Sequence, residues 1–177
     1  MKALLLIPVL LASTASSRAE SFRGPLPEEQ RDIIHYMAEH HAELSRKVTM
    51  TETGYSAVTT TENKELVEKL HAHVAYMKKR LDSGAMVRRW DPAYAEMVEH
   101  YEDLDAKITP VENGLEVTVT GKTPRAIKIA QNHANIVTSF AKEGFPSVER
   151  EHPDTTQLKF DEGKKAAESE PSKQAPK

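Results

Sequence analysis

The chain has 177 residues, 38% hydrophobic and 29% charged, with eight histidines, no cysteine and a formal net charge of −3. That length suits one ordinary domain. The missing cysteine excludes disulfides, thiolate metal sites and thiol catalysis; the negative balance and scarce glycine exclude a basic nucleic-acid surface and a glycine-rich phosphate loop.

Met1-Lys2 is followed by an apolar run, Ala3 to Ala12, and by small residues up to Ala19. This pattern predicts a secretory signal over residues 1–19, cut after Ser17-Arg18-Ala19, with Ser13-Thr14-Ala15 as the rival site. The run is too short to span a bilayer, and nothing later is longer, so no membrane insertion is expected. The expected product is exported, to the periplasm or the extracellular space. Its single domain is expected over 20–145, built from units at about 27–84 and 91–145.

In the first unit Ile33, Ile34, Met37, His41 and Leu44 recur at helical spacing. Thr53-Gly54 marks a turn, and Asn63 is placed to cap a second helix. That helix carries an apolar stripe at Leu66, Leu70, Val74, Met77 and Leu81, and Gly84 ends it. In the segment from Gly84 to Trp90, Trp90 is expected to pack where the units meet, with Arg88 and Arg89 reaching outward.

The second unit repeats this grammar more clearly. Asp91-Pro92 caps a helix bearing Tyr94, Met97, Val98, Tyr101, Leu104 and Ile108. Asn113-Gly114 is a tight-turn signal, and Leu115, Val117 and Val119 alternate as in a half-buried strand. Thr123-Pro124 opens the last helix, and Gly144 suits its C-terminus. Set without gaps at a shift of sixty, residues 35–84 and 95–144 agree at eleven positions, against roughly three expected. The expected fold is therefore α+β: two tandem α-β-β-α repeats forming one pseudo-two-fold domain, with a four-stranded antiparallel sheet and helices on one face. From residue 146 the periodicity fades into Pro, Lys, Glu and Ser, and 146–177 reads as a disordered tail containing His152.

The run His71-x-His73-Val74-x-x-Met77-x-x-Arg80, then Val87-Arg88-x-Trp90-Asp91-Pro92, then His133-Ala134, Val137 and Phe140 resembles a group of short exported bacterial proteins of unassigned function. The resemblance spans roughly residues 35–150 and implies the same export and boundaries, but no chemistry.

His73 and His133 fall within the apolar stripes of their helices, and His40 and His100 beside those of theirs. Met37 with His40, and Met97 with His100, are spaced i,i+3, and His73 with Met77 i,i+4, so each pair shares a helix face. Imidazole with thioether suits a soft transition metal, copper above all. The candidate ligands are Met37, His40, His73, Met77, Met97, His100 and His133. Haem, held without covalent attachment, is the other cofactor this set could serve. The expected function is an exported, non-catalytic binding module for a metal ion or small ligand. One alternative is a structural or protein-interaction domain, or a homodimer, whose buried histidines only satisfy the backbone. The other is an acid–base enzyme using Glu39 with His40 and Glu99 with His100, adjacent residues that do not face each other on a helix.

Overall fold

The caps seen in the sequence start the helices. Asn63 accepts from the amides of Glu65 and Leu66, Asp91 from Ala93, and Thr123 from Ala126. In the computed structural model, which describes residues 22 and 24–158, they open α2 (Lys64–Asp82), α3 (Pro92–Glu99) and α4 (Pro124–Glu143). Helix α1 (Glu28–Glu39) precedes them, and the short α5 (Phe145–Val148) follows Gly144, whose φ is +64°. The expected export signal lies outside the described residues, as does 159–177.

Four strands, β1 (Ser45–Thr51), β2 (Gly54–Thr60), β3 (Leu104–Val111) and β4 (Gly114–Gly121), form one antiparallel sheet in the order β1-β2-β4-β3. The central ladder pairs β2 with β4 through Ala57↔Val117. Two glycines allow that ladder to close: a Cβ on Gly114 would run into the carbonyl of Thr59, and one on Gly54 into that of Val119. Asn113 supplies the left-handed turn residue, at φ 57°.

Alternation gives the sheet two unlike faces. Ser45, Lys47, Thr49 and Thr51 of β1 are exposed, while Tyr55, Ala57 and Thr59 of β2 are buried. Helix α4 packs directly on all four strands, burying Ala126, Ile129, Ala130 and Ala134. Helix α2 instead packs on α1 and approaches the sheet mainly at β4. Its inward residues Val74, Met77 and Leu81 keep part of their surface because they face a hollow.

The chain beyond residue 146 is not loose where it is described. The amide of Ala93 donates to the His152 carbonyl, Asn132 to the carbonyl of Pro153, and Thr155 to Glu96. His152 is 5% exposed. Hydrophobic periodicity is blind to a segment held by side-chain hydrogen bonds to distant residues. Trp90 also departs from expectation: it is 50% exposed, stacked on the Arg88 guanidinium 4.3 Å from the ring centre. Arg88 does not reach outward; it lies against Tyr94 and Phe140 and binds Asp91.

Candidate functional site

The hollow between α2 and the sheet is a cavity of about 790 Å³, within the usual 300–1,000 Å³ of small-molecule sites, roughly. It runs from buried Tyr55, Leu115 and Ala130 out to exposed Arg89 and Trp90. Its wall is mostly aliphatic, from Val74, Met77 and Leu81 on α2, Ile108 and Val117 on the sheet, and Val137 on α4.

Five of the seven ligand candidates, Met37, His73, Met77, Met97 and His133, line this one space. His40 and His100 do not. Each is the residue that ends its helix, and a 3₁₀ turn follows (His41–Glu43 and Tyr101–Asp103). At the last residue of a helix the side chain has no following turn to hold it against the stripe, and neither ring reaches the cavity. His40 stacks on Tyr36 and pairs with Glu43 at the surface. His100 keeps a buried Nε2 without a partner. Among the described residues no group of three or more His, Asp or Glu side chains converges as a metal cage.

Burial sets the charge state of the two remaining imidazoles. His73 and His133 are half-buried on the cavity wall and surrounded by protein, and desolvation pulls each down to about 4, the Arg46 cation adding to the effect at His133. Both are neutral at physiological pH. His133 Nδ1 lies 3.0 Å from the Tyr55 hydroxyl, whereas His73 Nδ1 has no partner. Burial pushes Tyr55 up to about 12.

Arg46 is the residue that the sequence reading missed. It stands on the inner face of β1 between Leu44 and Val48, across the ladder from Thr59. Nη1 donates to Thr59 Oγ1 at 2.8 Å and Nε to Thr138 Oγ1 at 3.4 Å, while Nη2 is enclosed and unpartnered. Desolvation lowers its affinity for its proton. The period of two, which turns Arg46 to the same side of the strand as Val48, was the available signal.

A second cluster has the order of a hydrolytic relay. Asp91 Oδ2 lies 2.8 Å from His152 Nδ1, His152 Nε2 lies 3.4 Å from Ser147 Oγ, and Ser139 Oγ is 2.5 Å beyond. Access decides against catalysis. Asp91 and Ser147 are 0% exposed, and none of the four residues lines the cavity. Asp91 is also occupied by Arg88 and by the amides of Ala93 and His152. A hydroxyl that no substrate can reach is no nucleophile; the relay is a clasp that pins 145–153 to α3 and α4.

Compared with protein families, curated proteins and solved structures, the chain matches none.

Proposed function

We propose that the protein is a non-catalytic binding module that encloses an apolar small molecule between α2 and the sheet. The cavity carries this reading. A side-chain stripe that would close an ordinary core instead borders about 790 Å³ of space, and that space opens beside the lone tryptophan. Interiors are normally close-packed, so a hollow of this size is costly unless filled. A neutral solvatochromic dye such as Nile red is expected to bind, brighten and perturb Trp90 emission. Val74→Trp, which places bulk on the cavity wall, is expected to abolish dye binding while leaving a cooperative melt. A dark dye with the unaltered protein removes the reading.

Export to the periplasm or beyond, and the resemblance to short exported bacterial proteins, belong to the same proposal. So does a duplicated unit about a pseudo-two-fold axis. Three observations support it. The central ladder is centred on Ala57 and Val117, residues sixty apart. Both hairpins keep the same register at that shift, Lys47↔Val58 and Lys107↔Thr118. The two 3₁₀ turns also fall sixty apart.

A second reading keeps the metal. It is favoured by the free Nδ1 of His73 and the four methionines around the same space, Met37, Met77, Met86 and Met97, a soft donor set suited to copper. Copper titration is then expected to weaken in His73→Ala and His133→Ala, and unchanged affinity in both ends that reading.

A further inference from the structure

We propose that the occupant is an amphiphile with a carboxylate head, seated on Arg46, its alkyl chain lying along the aliphatic wall. The inference rests on the cavity-binding reading and adds the chemistry of the head group.

Charge is the first argument. Among the described residues the cavity is bordered by Arg46, Lys78, Arg80, Arg88 and Arg89 and by no Asp or Glu, although the chain as a whole is acidic. Most of these cations are already engaged. Lys78 pairs with Asp82, Arg88 with Asp91, and Arg80 donates to the carbonyls of Met86 and Gly24. Arg46 has two threonine hydroxyls and, among the described residues, no carboxylate. A guanidinium taken out of water without a counter-charge is strongly disfavoured. Two buried carboxylates of the domain do meet a guanidinium, Asp91 with Arg88 and Glu96 with Arg125. Arg80, also without a carboxylate and with a buried unpartnered Nη1, is held by two backbone carbonyls, whereas Arg46 has only two neutral hydroxyls, and an anion would complete its site.

The surroundings specify which anion. Both cavity histidines are neutral at physiological pH, so Arg46 stands as a single positive charge at the inner end. A singly charged head balances it; a dianion would leave a buried negative charge. The free Nη2 supplies a donor for one carboxylate oxygen, and the Tyr55 hydroxyl lies close by. Away from the head, the methionines at 37, 77 and 97 give a wall that adapts to a flexible chain.

The test is displacement of Nile red from the purified protein at neutral pH by palmitate and by palmityl alcohol. Palmitate is expected to bind at least about tenfold more tightly than the alcohol. Arg46→Gln is expected to lower palmitate affinity by about tenfold or more while leaving alcohol and dye unchanged. Without ligand, the variant is expected to melt no lower than the unaltered protein, because an isolated charge has left the interior. If Arg46→Gln does not fold, Arg46→Lys, which keeps the charge, is expected to retain a preference for acid over alcohol. Lys78→Gln, at the paired outer cation, is expected to change palmitate affinity by no more than about twofold. Equal competition by acid and alcohol overturns the carboxylate with the cavity reading intact, as does equal loss of both ligands in Arg46→Gln. Failure of the dye itself to bind overturns both.

Discussion

Asp91→Ala is expected to cost about 3–5 kcal/mol, the range for breaking a buried charge pair on one side. Asp91 is fully buried and serves four groups at once: the Ala93 amide as helix cap, the amide and ring of His152, and the Arg88 guanidinium. Its loss leaves the Arg88 guanidinium without its carboxylate and the His152 ring and amide without their acceptor, and removes the anchor of residues 145–153. Chemical denaturation should show the loss, and limited proteolysis should cut beyond Gly144 in the variant first. Ser147→Ala removes only a neutral hydroxyl contact and is expected to cost about 1 kcal/mol. Equal stability of Asp91→Ala and the unaltered protein would mean that the clasp holds nothing.

Acid is expected to destabilise the protein before its surface carboxylates titrate. His73 and His133 fall from an ordinary 6.5 to about 4 in the folded chain. The unfolded chain therefore binds protons that the folded chain refuses. Stability from the neutral imidazoles is complete above the unfolded value and is lost as pH falls through the folded one. Each histidine is expected to cost about 2 kcal/mol by about pH 5, on the order of 4 kcal/mol for the pair. Around His133 the relevant neighbours are the Arg46 cation, the Tyr55 hydroxyl and the ring of Tyr94; desolvation alone accounts for His73. Denaturant midpoints measured from pH 7 down to pH 5 should fall steeply. The double variant His73→Gln with His133→Gln should flatten that slope. The same slope in both proteins would show that water already reaches the rings.

The helix starts and the faces of β4 were legible because they depend on neighbours in sequence, but two helix ends were not: the helical spacing ran on through Leu44 and through Leu104 and Ile108, whereas α1 stops at Glu39, α3 stops at Glu99, and Leu104 and Ile108 belong to β3. Asn63, Asp91 and Thr123 cap as their side chains dictate, Gly84 and Gly144 take positive φ, and alternation placed Leu115, Val117 and Val119 on one face. His73 and His133 were found for the same reason, since 3.6-residue periodicity sets them among their apolar neighbours. His40 and His100 do not reach the cavity because their helices stop there, an end that the hydrophobic pattern did not mark; His100 still buries its Nε2. Arg46 was passed over because its charge suggests solvent, although its parity matches Val48.

From local physics the chain by itself determined where its helices begin, their caps, the two tight turns, which side of β4 turns inward, and the inward places of His73 and His133. Only the tertiary structure decided how far α2 stands from the sheet, and hence that its apolar stripe borders a cavity. It alone joined Asp91 to His152, sixty-one positions away, and brought Arg46 to Tyr55 and His133. The reason is range. Caps, turns and periodicity act over one or two turns of backbone, whereas the spacing between layers and the meeting of distant polar groups are set by the packing of the whole chain.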